Sequence, residues 1–303
     1  MDQYGGVDLK GGARKKAKKK MYKEKHCSPG ETDVNNSCLD GELIIKIATI
    51  LNGSNSDKYS QIDTTQNPEN IHGDVCIKIS EISNCSSEEC WSKIKNLMNK
   101  LGSDKEKFKK KFKPKMPKSW LKDYNEWLST DDIETCLNQH IEADEKFYFY
   151  GAVPMDFNKC SVSNLCSFDL NKHLNNNKNK IGIVFNTDPS TKGGKHWISM
   201  YIDLGRYNLT EPSIYYFDSY GKKPSKQIQR LINKIKKQGK KNNMNILYFY
   251  NDHPYQKHDS QCGMYSIHFI KKMLEGLSFD EYLSSSGLSD KSMSQLRNEY
   301  FIK

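Results

Sequence analysis

Four polar residues, His196, Asp218, Gln256 and Cys262, constrain this chain's fold more than any other feature. Three of them stand at the ends of apolar runs. His196 immediately precedes Trp197–Leu204, which has the composition of a strand. Asp218 closes a second strand-like run that starts at Ser213, and Cys262 opens a run through Leu274 whose apolar residues recur at helical period. A fold that unites them must set two strands side by side and aim the start of a helix at their ends.

The residue types suit one kind of chemistry. A thiol is a weak nucleophile until it loses its proton, and a helix N-terminus or a neighbouring imidazolium lowers its pKa from about 8.5. Cys262 begins a helix and is followed by Gly263, whose bare backbone is read here as leaving room for a substrate carbonyl. His196, on a rigid strand end, can take the thiol proton and return it to a leaving amine. Asp218 can bond the far imidazole nitrogen and fix the ring's orientation, although Asp218-Ser219-Tyr220-Gly221 also reads as a plain turn. A side-chain amide can assist the Cys262 N–H in binding an oxyanion. Both Gln256 and Gln261 qualify, and chemistry alone does not choose between them. Trp197 either narrows the cleft, selecting residues without a Cβ such as Gly-Gly, or is an ordinary core aromatic.

At the level of organisation, residues 1–30 read as a disordered basic tail, 31–128 as a helical arm and 129–303 as an α+β catalytic domain. Helical periods are expected over Leu39–Leu51, Glu88–Leu101 and a lysine-rich stretch from residue 104 that Pro114 and Pro117 stop. Residues 53–70 read as loop. A helix begins near Ser129, where Thr130-Asp131-Asp132 places acids in the first turn. Strands are expected at Phe147–Val153, Ile181–Asn186 and Asn245–Asn251, and an amphipathic helix at Lys226–Gln238.

The formal charge of +10 is uneven. Residues 1–25 hold nine basic and three acidic groups, and residues 103–118 hold eight lysines and two acids. Segments 10–25 and 105–118 are therefore candidate contacts for DNA, or else solvated faces. Nine cysteines without regular spacing point to a reducing, intracellular setting and to no metal site. No metal or organic cofactor is implied. The chain lacks both a signal-peptide segment and an apolar run long enough to cross a membrane, so no membrane role is expected.

The motifs Gly194-Lys195-His196-Trp197, Tyr216-Phe217-Asp218-Ser219 and Gln256-x5-Cys262-Gly263-x-Tyr265-Ser266 resemble those of the adenovirus-protease and SUMO-protease clan of cysteine peptidases. The segments Asn186–Thr191, Val153–Phe157 and Cys85–Cys90 are similar to the polyprotein-processing protease of African swine fever virus and related large DNA viruses. The resemblance implies a papain-like core, a central mixed sheet flanked by helices, with an N-terminal helical arm. It implies His196 as base, Asp218 as orienter, Cys262 as nucleophile and Gln256, rather than Gln261, as oxyanion donor. The swine-fever type carries Asn where this chain has Asp218. The resemblance further implies cleavage of viral capsid or core precursors at Gly-Gly-X sites, in the virion and host cytoplasm. The alternatives are an isopeptidase that removes ubiquitin-like modifiers after Gly-Gly, an acyltransferase, which the Asp rather than Glu orienter disfavours, and a basic nucleic-acid-binding structural protein. Gly11-Gly12-Ala13 in the tail is a candidate self-cleavage site.

Overall fold

The computed structural model describes residues 26–31, 37–53 and 61–303. Gly11-Gly12-Ala13 and the basic segment 10–25 lie outside the described residues. The chain divides into two compact units, Met1–Lys113 and Pro114–Lys303. Residues 114–128, which the texture of the sequence assigns to the arm, thus group with the second unit. Met116 N–H donates to the Ile302 carbonyl at 2.6 Å, and the Arg297 guanidinium sits 4.4 Å over the Trp120 ring.

Within the first unit, α1 (Gly41–Asn52) is capped by Asp40 and buries Leu43, Ile44, Ile47, Ala48 and Leu51. Helix α2 (Pro68–Ile82) occupies the end of a stretch read as loop and continues beyond it. Its signal was local: Asn67 caps the helix and Pro68 fills the first turn, where a missing N–H costs nothing. The expected helix Glu88–Leu101 is broken at Ile94 into a 3-10 turn, Glu89–Lys93, and α3 (Lys95–Leu101). The lysine-rich helix α4 (Asp104–Lys110) ends before either proline. Glu88 is buried and serves as a hub, accepting from Ser37 Oγ at 2.6 Å and Cys38 N–H at 2.9 Å, with His72 Nε2 at 2.6 Å.

The second unit is built on a five-stranded sheet in the order β1 (Phe147–Val153), β2 (Lys180–Asn186), β3 (Trp197–Asp203), β4 (Ser213–Phe217), β5 (Leu247–Tyr250). The outer pairs are parallel and the two inner pairings antiparallel, so the sheet is mixed. Alternation along β3 divides two cores: Trp197 and Tyr201 face one side, Ile198, Met200 and Ile202 the other. The first side carries α5 (Thr130–Ala143), which Ser129 and Asp132 start with a capping box, and α8 (Cys262–Leu274). Three shorter helices complete the unit: α6 (Leu170–Asn175), α9 (Phe279–Leu283) and α10 (Asp290–Tyr300).

The second side carries α7 (Lys226–Lys241) through Ile228, Leu231, Ile232 and Ile235. Burying each of those four is worth about 1.5–3 kcal/mol. A like-charge i,i+4 pair costs about 0.2–0.5 kcal/mol. Packing therefore decides that α7 forms despite its many lysines.

Six of the nine cysteines are paired as Cys27–Cys38, Cys85–Cys90 and Cys160–Cys166. This corrects the expectation of a fully reduced chain. Short sequence separations bring these thiols into bonding range by local turns, which irregular spacing had concealed. Cys76, Cys136 and Cys262 stand outside these disulfides and are buried.

Candidate active site

Antiparallel pairing of β3 and β4 puts Ser199 opposite Phe217, so His196, just before β3, meets Asp218, just after β4. His196 Nε2 lies 2.8 Å from Asp218 Oδ1. The other ring nitrogen is left for Cys262, whose side chain is near enough to act on the imidazole. Cys262 is the first residue of α8, and no side chain caps that helix. Its first N–H groups and the positive end of its dipole are therefore directed at the sulfur.

Each partner is held in place. Gly194 has φ +88, and a Cβ there would fall 2.5 Å from Asn186 Nδ2, so this position requires glycine. Asn186 Oδ1 accepts the N–H groups of Lys195 at 3.2 Å and Asp188 at 2.9 Å, tying the His196 loop to β2. Asp156 braces the same loop through Ser190, at 2.7 Å to the N–H and 2.9 Å to the hydroxyl. Asp218 is fixed from behind by Asn251, which accepts its N–H at 2.9 Å and donates to its carbonyl at 2.7 Å. The Tyr220 N–H donates to Asp218 Oδ1 at 2.8 Å, and the Tyr220 ring packs 4.7 Å from the His196 ring.

Burial pulls the His196 imidazole down, but its hydrogen bond to Asp218 and its interaction with Cys262 outweigh that and raise it to about 9. His140, His173 and His268 show the opposite outcome, driven chiefly by burial to about 3, 4 and 4. His196 therefore stands as an imidazolium at neutral pH between a carboxylate and a sulfur. Such a pair can supply a thiolate for attack on a carbonyl and a proton for the leaving group. The Cys262 N–H at the helix start is placed to bind the resulting oxyanion.

The other residues singled out in the sequence fall into place less simply. Gln256 is buried beside the site, but its amide is already engaged. Its Oε1 accepts from Ser219 Oγ at 2.6 Å, while its Nε2 donates to the His258 carbonyl and to Tyr220 Oη at 3.3 Å. The His258 carbonyl, which can only accept, fixes that orientation. Gln261 turns toward Arg297, whose Nε donates to its Oε1 at 3.4 Å, and is part of a structural network. Gly263 is not open to substrate. A Cβ there would meet Leu128 Cβ at 2.8 Å, so the glycine admits the Leu128 side chain against α8. Trp197 is buried, and its indole N–H donates to the Leu128 carbonyl at 2.9 Å. Trp197 and Gly263 thus grip one segment from two sides.

Three contributors escaped the sequence reading. Asn251 and Tyr220 look like ordinary turn residues until the fold brings them to Asp218. Trp127, 41% exposed, directly precedes Leu128, the segment packed on Gly263 and Trp197. Its only signal was an aromatic directly ahead of a capped helix. Among the described residues, no group of three or more His, Cys, Asp or Glu is arranged to hold a metal ion.

Residues 162–303 match the family model of the Ulp1 protease family, C-terminal catalytic domain, and that span contains His196, Asp218, Gln256 and Cys262. The chain is 39% identical over 177 residues to a putative thiol protease of Acanthamoeba polyphaga mimivirus, covering 58% of this chain and 57% of that protein. It is 32% identical over 125 residues to a cysteine protease of African swine fever virus, covering 41% and 44% respectively. The chain spans about half the length of the curated relatives it matches. The fold is that of the crystal structure of the African swine fever virus protease, with a TM-score of 0.68, 20% identity, and coverage of 93% of this chain and 97% of that one.

Proposed function

We propose that this chain, with a Ulp1-type catalytic domain over residues 162–303, is a cysteine endopeptidase that cleaves viral structural precursors at Gly-Gly-X sites. One observation carries the catalytic part: Cys262 at an uncapped helix start, acting on an imidazole that is raised to about 9 and hydrogen-bonded to Asp218. Cys262 attacks the scissile carbonyl to form a thioester, His196 protonates the departing amine, and water then releases the acyl group with His196 as base. Gln256 joins the Cys262 N–H as oxyanion donor by exchanging its long contact to Tyr220 Oη for the oxyanion.

The viral source of both relatives supports a virion or infected-cell setting. The Gly-Gly preference rests on resemblance and on Trp197 and Leu128 crowding the site. A second reading, an isopeptidase for a ubiquitin-like modifier, has one observation behind it: a swine-fever relative carries the name SUMO-1 cysteine protease. The test compares wild type with Cys262→Ala on a Gly-Gly-Ala peptide and on SUMO- and ubiquitin-fluorophore conjugates. Cleavage of the peptide alone, abolished by the substitution, is expected. Faster turnover of a conjugate selects the isopeptidase, and peptide cleavage by Cys262→Ala would refute the thiol mechanism.

DNA contact through residues 105–118 is weakened as a proposal by the ion pairs those lysines make. Lys107 pairs with Asp40 and Glu42, each at 3.2 Å, Lys109 with Glu106 at 2.7 Å, and Lys111 with Glu31 at 2.8 Å and Asp40 at 3.2 Å.

A further inference from the structure

Among the described residues, a denser run of unneutralised charge lies elsewhere. Residues 219–251 hold nine basic side chains and no acidic one. Balanced against acids in other segments, they vanish from any tally of net charge. In the fold they converge, because α7 places Lys226, Arg230, Lys234, Lys237 and Lys241 at i, i+4, i+8, i+11 and i+15, one stripe of a helix. That stripe is opposite the apolar face packed on the sheet. Lys226, Arg230, Lys237 and Lys241 are exposed, and Lys236 and Lys240 flank them. Among the described residues none of these cations is in an ion pair. Asp169, which caps the adjoining helix α6, is occupied by the N–H groups of Asn171 and Lys172.

This is not how a merely solvated helix face is built. Such faces interleave Glu with Lys at i,i+4 and place acids in the first turn. Here the first turn has no acid, and four i,i+4 neighbours repel: 226 with 230, 230 with 234, 236 with 240, and 237 with 241. In the arm unit, by contrast, Lys46, Lys107, Lys109 and Lys111 are matched with carboxylates.

We infer that the outer face of α7 binds the phosphate backbone of double-stranded nucleic acid. The stripe is straight and about 22 Å long at 1.5 Å per residue. Over that length a B-form duplex presents about 13 phosphate charges. Eight of the nine cations in residues 219–251 are lysines, point charges that neutralise phosphate without reading base edges, so binding is independent of sequence. The helix cannot lie in a membrane interface, because its apolar side is buried in the core. The track leads from the catalytic rim: Lys222 sits 5.3 Å over the Tyr220 ring, which packs on His196. Because α7 and α8 lie on opposite faces of the sheet, a bound duplex leaves the Cys262 side free for a protein substrate.

The test measures anisotropy of a labelled 30-base-pair mixed-sequence DNA duplex with the full chain across a range of salt concentrations. Three proteins are compared: wild type, a variant with Lys226, Arg230, Lys237 and Lys241 changed to Gln, and a charge-matched control with Lys93, Lys95, Lys100 and Lys122, also exposed, changed to Gln. All three keep residues 1–25, so any contribution of that segment cancels. Gln retains helix propensity and removes repulsion, so unfolding temperature reports whether the variant remains intact. At about 0.9 per contact, the slope of log K against log salt is expected to fall by about 3.6 in the α7 variant and to stay near wild type in the control. Equal loss in both variants, or an unchanged slope in the α7 variant, overturns the proposal. So does tighter binding to poly-glutamate or to phosphatidylserine vesicles than to the duplex. Binding is read without turnover, so the outcome is independent of whether the peptidase reading holds.

Discussion

His196 Nε2 and Asp218 Oδ1 stand 2.8 Å apart, and the same carboxylate oxygen also accepts the Tyr220 N–H at 2.8 Å. One oxygen thus orients the imidazole and holds the turn that carries it. Asp218→Ala removes both contacts, and a hydrogen bond to a charged group is worth about 1.5–3 kcal/mol. A fall in kcat of roughly 10- to 100-fold is expected, with a smaller fall for Asp218→Asn, whose amide oxygen can still accept. Steady-state kinetics on a Gly-Gly-Ala peptide decide, and equal activity of both variants with wild type would remove Asp218 from the relay.

The elevated His196 sets a pH limit with a definite sign. Its folded value, about 9, lies above its ordinary 6.5. The imidazolium therefore persists through neutral pH and is lost, with the leaving-group proton, as pH rises through about 9; the stability it contributes is full below about 6.5 and lost over the same rise. Activity is expected to fall on an alkaline limb near pH 9, and Asp218→Asn to move that limb lower. A pH–kcat/KM profile of both proteins tests this, and a limb in the same place for each would show that Asp218 is not what raises His196.

Asn251 acts through Asp218 and touches no reacting atom. It is buried, and removing its side chain leaves the Asp218 N–H and two carbonyls without partners. Asn251→Ala is expected to cost about 1–3 kcal/mol of stability. It should also lower kcat with little change in KM and shift the alkaline limb downward together with His196. A stability loss with an unmoved limb would mark Asn251 as structural only.

The parts of this molecule that were legible are those where local pattern and chemistry agree. Cys262–Leu274 has both helical period and a nucleophile at its start, and the helix has those bounds. Helix α2 was obscured because Lys78 and His72 occupy buried positions, interrupting the apolar stripe. Gly263 packs on Leu128 and Trp197 donates to its carbonyl, a shared partner far away in sequence that the residues around either do not reveal. The stripe on α7 was hidden by arithmetic, since net charge over a long remainder erases local excess. Contacts across a fold leave no mark at either end of the chain that makes them.

The cysteines allow a count that separates two settings. With Cys27–Cys38, Cys85–Cys90 and Cys160–Cys166 formed, only Cys76, Cys136 and Cys262 can be alkylated after denaturation. Mass spectrometry of protein denatured in iodoacetamide without reductant is expected to show three labels. After reduction all nine cysteines should react. Nine labels without reductant, on protein recovered under thiol-blocking conditions, would restore the fully reduced chain that irregular spacing suggests.

The sharpest structural test falls on Gly263. A methyl group there would lie 2.8 Å from Leu128 Cβ, closer than carbon atoms tolerate, and Gly263 directly follows the nucleophile. Overpacking of this kind costs about 1–3 kcal/mol. Relief must come from moving Leu128 or the first turn of α8, and the second displaces Cys262 from His196. Gly263→Ala is therefore expected to lower both the urea midpoint and kcat. Leu128→Gly in the same chain removes the Cβ that collides, so the two substitutions are expected to couple in a double-mutant cycle, the double variant losing less than the sum of the single losses. If Gly263→Ala instead lost activity at unchanged stability and showed no coupling with Leu128→Gly, the glycine would be serving substrate approach after all, and the packing account of this turn would fail.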